Sequence, residues 1–185
     1  MDKQLLKVYE DIALSDSDLM KLVDNKANLV LYPELVDYNN IDDVLGKYRA
    51  CVLLFEAKPG YGHWVCLFRN GNLIEFFNPY GGYPDDSLDF IPMHFRKVSN
   101  QLEPYLSMLL MHSPYELSYN EHAFQHHGKN IKTCGRHCAM RLIFRDLDLD
   151  SYTDMIEDLC EDLDTDADGV VSMMTASRSQ VPTKH

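Results

Sequence analysis

Three apolar runs in the middle of the chain, two of them joined by a short polar turn, limit what it can become. "ACVLLFEA" (50–57) is apolar almost throughout, the pattern of a strand covered on both faces. "HWVCLF" and "NLIEFF" follow, and the "RNGN" between them carries an Asn-Gly hairpin signal. A strand hidden on both sides needs partners on both sides, and the flanking sequence supplies helices. Leu5, Leu6 and Tyr9 recur at helical spacing, and Ser15 reads as the N-cap of a helix through "DSDLMKLV". "NLVLYPEL" (28–35) reads as a short strand ended near Pro33, and "NIDDVLG" as a helical turn closed by Gly46. Beyond the turn-rich "NPYGGYPDDS", residues 91–112 carry an apolar helical stripe in which Pro104 starts a second helix. "YELSYNEHAFQ" reads as extended and "TCGRHCAMRLIFRDL" as an amphipathic helix. "SYTDMIEDLCEDL" reads as a helix capped by Ser151, and "DADGVVSMMTASR" as a last short one. Strands gathered between helices predict an α+β fold with a mixed or antiparallel sheet. Its 185 residues suit one core, with a single domain over 1–177 and a loose tail at 178–185.

No apolar run approaches the roughly 20 residues that span a bilayer. The acidic N-terminal stretch has no cleavage-site pattern of a secretory signal, so an intracellular protein is expected. Five cysteines, an odd number spread along the chain, do not make a disulfide framework. The net charge of −12 weighs against a nucleic-acid partner. The charge is unevenly placed: Lys129 to Arg145 holds five Lys/Arg and no acid, and Asp146 to Asp168 eleven acids and no base. Two solvated faces that attract each other explain this, and a basic patch open to an anionic partner is the alternative.

A thiol hydrolase needs a thiolate, a histidine to activate it and a group to orient the histidine. His63 stands at the start of a strand between Gly62 and Trp64. A glycine there admits close approach of backbone or substrate. Alternation puts His63, Val65 and Leu67 on one face and Trp64, Cys66 and Phe68 on the other, so Cys66 cannot be its partner. Cys51 sits in an apolar strand, and Cys160 among acids that suppress a thiolate. Cys134 opens a helix, where free N–H groups and the dipole favour a thiolate, and Gly135 leaves its approach open. Cys138, one turn on, faces the packed side. Asn78, after the next strand, offers a carbonyl to the His63 ring, while Glu75 is turned to the opposite face. An aspartate at 78 is expected to hold His63 at least as well. The Cys134 N–H and the Gln125 side chain are the expected oxyanion donors.

The order Gly-His-Trp, Asn-Pro-Tyr-Gly, Gln, Cys-Gly resembles the adenovirus-type maturation proteases (adenain) and the related proteases that cleave SUMO. "GHWVCLFRNGNLIEFFNPYG" and "FQHHGKNIKTCGRHCAMRL" carry the likeness, and "LSDSDL", "LVLYPEL" and "DGVVSMMT" also fit. It is nearest to the versions of virophages, Polinton/Maverick elements and large DNA viruses. The resemblance implies a papain-like α+β fold, a mixed sheet flanked by helices, and an enzyme needing no cofactor or metal. It implies His63 as base, Asn78 as orienting residue, Gln125 as oxyanion donor and Cys134 as nucleophile, with Trp64 flanking a narrow cleft. It also implies a monomer that acts in the virion or host cytoplasm on capsid precursors, cut at glycine or other small residues. Asn78 stands where close relatives carry aspartate, and the Gln125–Cys134 spacing is longer than usual. Adenain is stimulated by DNA and a peptide; this chain's acidity argues against DNA, and the Lys129–Arg145 patch leaves it open.

Four other readings compete. His126, His127, Cys134, His137 and Cys138 are dense, but their spacing is not a recurring zinc pattern. Asp164, Asp166, Asp168 and Gly169 match the start of a calcium loop, but Thr175 stands where the bidentate glutamate belongs, so an acidic helix start is favoured. A non-catalytic protein-binding relative has only Asn78 in its support. A deSUMOylating or deubiquitinating hydrolase acting on host conjugates has the same chemistry and differs only in substrate.

Overall fold

The computed structural model describes residues 2–176, so the tail expected at 178–185 lies outside the described residues. Asp2 and Ser15 cap the first two helices, α1 (Lys3–Glu10) and α2 (Asp16–Leu22), and Ser15 forms a reciprocal box with Asp18. β1 (Asn28–Leu31) stops short of Pro33, which enters a 3₁₀ turn over Tyr32–Asp37. α3 (Ile41–Leu45) ends at Gly46, whose φ of +57° suits glycine.

β2 (Ala50–Lys58), β3 (Tyr61–Asn70) and β4 (Leu73–Phe77) follow. The hairpin turns one residue later than the Asn-Gly dipeptide suggests. Asn70 still pairs with Leu73, so Gly71 and Asn72 form the loop, with Gly71 at φ +58°. α4 (Met93–Val98) and α5 (Tyr105–Met111) divide the long stripe, and Pro104 stands just before α5. Only Glu116–Tyr119 of the stretch expected to be extended becomes a strand, β5. α6 (Cys134–Ile143), α7 (Leu149–Leu163) and α8 (Ala167–Ala176) complete the order. The cap of α7 is Asp148, which accepts from the Ser151 N–H; Ser151 lies in the first turn and is not itself the cap.

The sheet runs β1-β2-β3-β4-β5, parallel at both outer pairs and antiparallel within. On one face Val52, Leu54, Trp64, Cys66 and Phe77 pack against Leu19, Cys138, Tyr152 and Val170 of the helices. On the other, Leu53, Phe55, Val65, Leu67 and Phe76 meet Tyr32, Ile41, Val44 and Leu106. Both faces of β2 are therefore dry, which is why its sequence does not alternate. The fold is α+β, a five-stranded mixed sheet flanked by helices.

Candidate active site

The C-terminal end of β4 and the start of β3 bring His63 and Asn78 together, with His63 Nε2 2.8 Å from Asn78 Oδ1. Asn78 is fixed from several sides. Its backbone and the Asn120 side chain exchange two bonds, of 2.9 and 2.7 Å. Its Nδ2 donates to Gly81 O at 2.8 Å, and its Oδ1 accepts the Tyr80 N–H at 3.0 Å. That leaves Oδ1 only the role of acceptor toward the histidine. Neutral His63 is therefore protonated on Nε2 and carries its lone pair on Nδ1. Tyr80 stacks on the His63 ring at 4.7 Å, and His127 stacks on Tyr80 at 4.3 Å. Burial pushes the His63 pKa down to about 4, against the pull of the Asn78 bond and with help from His127 and His137.

The same geometry revises the expectation for an aspartate at 78. A carboxylate would lose the donor to Gly81 O and set oxygen against oxygen in a buried position. Asn78→Asp is expected to cost about 1–3 kcal/mol of stability, read by thermal or denaturant unfolding. An unchanged or raised stability would show that Gly81 does not need the amide.

Cys134 is the first residue of α6 and is half-buried. Thr133, at the N-cap, does not cap with its side chain, so the first-turn N–H groups stay available. Burial raises the Cys134 pKa, while backbone N–H groups of Trp64, Gly135 and Cys134 itself oppose the rise. Helix-end stabilisation is real here but is outweighed by desolvation. Cys51, Cys66 and Cys138 are fully buried, and burial together with Asp166 and Glu157 raises Cys160. His63, Trp64, Gln125 and Cys134 line one cavity of about 140 Å³, closed on the far side by Ala13, Leu14 and Lys132. Asn130 is exposed and does not line it.

The two glycines have packing reasons of their own. A Cβ on Gly62 would fall 1.8 Å from the Phe55 carbonyl oxygen, so strand pairing and not a substrate excludes a side chain there. A Cβ on Gly135 would sit 3.3 Å from the Trp64 ring and 3.4 Å from Leu14. Gly135 thus lets α6 lie close on Trp64, which is 5% exposed and belongs to the core as well as to the cavity wall.

Gln125 is held by its backbone. Its N–H donates to Pro79 O at 2.9 Å, and the next N–H, of His126, donates to Asp168 Oδ2 at 2.9 Å. Its Nε2 reaches Ile131 O only at 3.4 Å, and its buried Oε1 has no partner among the described residues. Asp168 is 1% exposed and also accepts from the His126 ring, Thr133 Oγ1 and His137 Nε2. Burial opposes its ionisation, yet the bonds from His137, Thr133 and His126 leave its pKa below the usual carboxylate range. His126, Asp166 and Asp168 could approach a common cation, but Asp168 already spends both oxygens on these donors. The same bonds remove Asp168 from the calcium-loop reading.

Two cations of the basic stretch, Arg136 and Arg141, are closed to a partner, while Lys129 is exposed. Eight of the ten residues of α6 are buried, Arg136 and Arg141 among them. Arg141 forms a two-pronged pair with Glu75, at 2.6 and 2.8 Å, and Lys132 pairs with Asp11. The acids of α7 and its flanks do not take part in these pairs. Sequence reasoning passed over Tyr80, Asn120, Thr133 and Asp168 as site-building residues. A faint signal existed for the last: the acid leads directly into the apolar "GVVSMM", and an acid drawn into a core with such a segment needs donors.

No model of a known protein family matches the chain. Among solved structures it is similar to the central domain of the uncharacterized Lpg1148 protein of Legionella pneumophila, with TM-score 0.41 and 15% identity over 90% of this chain and 99% of that one. It is also similar to SUMO protease Ulp1 with its catalytic cysteine oxidized to a sulfinic acid, with TM-score 0.37 and 13% identity over 96% and 87%. Likenesses this loose assign no activity. A curated relative is much nearer: uncharacterized protein V9 of Sputnik virophage, 54% identical over 171 residues, 92% of this chain and 98% of that protein. At that identity over nearly the whole of both chains, the chain belongs to the family of the virophage protein V9.

Proposed function

We propose that the chain is a cysteine endopeptidase that cleaves viral capsid precursors beside glycine or another small residue. The observation that carries this reading is the His63–Asn78 bond, which leaves the lone pair on Nδ1 in a residue lining the same cavity as Cys134. Nδ1 takes the thiol proton as Sγ attacks the scissile carbonyl. The C–N bond then breaks, and the imidazolium gives its proton to the leaving amine. Water, deprotonated by the same imidazole, hydrolyses the thioester and restores the thiol. The Cys134 N–H and Gln125 Nε2 are the donors to the oxyanion, and Asn78 keeps the tautomer. A cavity of 140 Å³ is small, which suits glycine next to the cut bond. The capsid substrate follows from the resemblance in sequence and from the virophage source of the relative.

Titration with iodoacetamide, mapped by mass spectrometry, tests the dyad. Cys134 is expected to label ahead of the other four cysteines, and His63→Ala to slow it about tenfold. Labelling spread over several cysteines, indifferent to His63, would overturn the reading. The pH profile adds a sign. Burial holds Cys134 as thiol and His63 as free base, so the rate should climb steadily from about pH 6 to 9. A plateau across that range would mean a preformed thiolate–imidazolium pair instead.

A further inference from the structure

We infer that Asp168 is a positioning residue for the oxyanion donor: it fixes Gln125 from the far side of the fold through the His126 N–H. The inference rests on the endopeptidase reading above.

A side chain aims where its Cα–Cβ bond aims, and that bond is set by the two peptide planes that meet at the Cα. At Gln125 both planes are tied. The N–H of the plane before it goes to Pro79 O at 2.9 Å, and the N–H of the plane after it to Asp168 Oδ2 at 2.9 Å. The first anchor belongs to the turn that also carries Asn78, and the second to the first turn of α8. Asp168 does more than hold one amide. Oδ2 also accepts the His126 ring at 3.0 Å, and Oδ1 accepts Thr133 Oγ1 and His137 Nε2. Thr133 immediately precedes Cys134, so one carboxylate grips both ends of the loop from the oxyanion donor to the nucleophile.

A carboxylate suits this task because it offers acceptors on both oxygens to donors that converge from two directions. Asparagine keeps one such oxygen and alanine none. The side chain of Gln125 has little else to hold it, since its Nε2 bond is long and its Oε1 unpartnered among the described residues. Loss of the clamp should therefore be felt far more where an oxyanion forms than where none does.

Two reagents separate these cases. Acyl transfer from benzyloxycarbonyl-glycine p-nitrophenyl ester passes through a tetrahedral oxyanion: Sγ forms the thioester, p-nitrophenolate leaves, and water later releases the acid. Alkylation by iodoacetamide displaces iodide and forms no oxyanion. Asp168→Asn is expected to lower ester turnover about tenfold and Asp168→Ala about 100-fold, mostly in kcat, while the alkylation rate of Cys134 stays within about threefold of the parent. Gln125→Ala should reproduce the same split. Ester turnover unchanged in both Asp168 variants overturns the inference. So does a parallel fall of turnover and alkylation, which would make Asp168 a support of the whole fold; the asparagine variant, with its melting point beside it, guards against simple unfolding. If the parent protein itself shows no His63-dependent alkylation of Cys134, the endopeptidase reading fails first and takes this inference with it.

Discussion

Cys134→Ala is expected to lower peptide or ester hydrolysis by a factor on the order of 10⁶, to the level that oxyanion donors and binding alone sustain. Cys138→Ala, one helical turn away, is expected to leave turnover near that of the parent. The two thiols differ in surroundings and not in chemistry. Cys134 borders the cavity, and the backbone N–H groups of Trp64 and Gly135, with its own, offset part of the rise that burial gives its pKa. Cys138 is wholly enclosed, its thiol directed to the Trp64 carbonyl and held far above the usual thiol pKa by burial and by Cys66. Removing its sulfur should cost about 1–2 kcal/mol of stability, as a small core truncation does. Progress curves on the two purified variants decide the matter: equal loss in both would sink the assignment of Cys134, and full activity in Cys134→Ala would sink the thiol mechanism itself.

The largest loss of stability is expected from Glu75→Ala. Arg141 is fully buried; Nε and Nη2 donate to the two Glu75 oxygens, Nη2 donates also to the Leu147 carbonyl and Nη1 to the Phe144 carbonyl, the last two at 2.8 Å. Its guanidinium lies between the rings of Phe68 and Tyr152, at 4.8 and 4.7 Å. Without Glu75 this cation stays inside the protein with no counter-charge, at a cost of about 3–5 kcal/mol. For a chain of this size that is a fall in melting temperature of roughly 10–15 °C. An apolar pair in place of both residues should recover much of the loss, since the desolvation of the two charges disappears as well. A drop of less than about 1 kcal/mol in Glu75→Ala would mean that Arg141 finds water when its partner goes.

Much of this was open to reading from the chain. The uninterrupted run of β2 announces a strand covered twice, and alternation along β3 and β4 puts Trp64, Cys66 and Phe77 on one core face and Val65, Leu67 and Phe76 on the other. What alternation cannot supply is the partner across the fold. Glu75 is visibly turned away from His63, but nothing near it in sequence names Arg141, 66 residues later. The basic stretch misleads for a related reason. Charge is normally solvated, so five cations in a row of residues look like a surface, yet α6 is enclosed nearly all round and its arginines go in with it. Asp168 is the same lesson with the sign reversed. Among eleven acids it is one more, and only the donors gathered around it distinguish it. The Asn-Gly turn slips by one residue: Asn70 stays in the ladder opposite Leu73, and Gly71 takes the positive φ.

Residues 13 and 14 form one wall of the cavity, and Asp168 ties the loop at its back; α1 and α8 pack against each other behind it. The site is thus closed by stretches made early and late in synthesis. A ribosome releases the thiol of Cys134 well before it releases the carboxylate that grips the neighbouring loop. On the endopeptidase reading, a growing chain would carry Cys134 for a time before Asp168 could tie its loop, and would gain its full turnover only once the last helix had folded back onto the first.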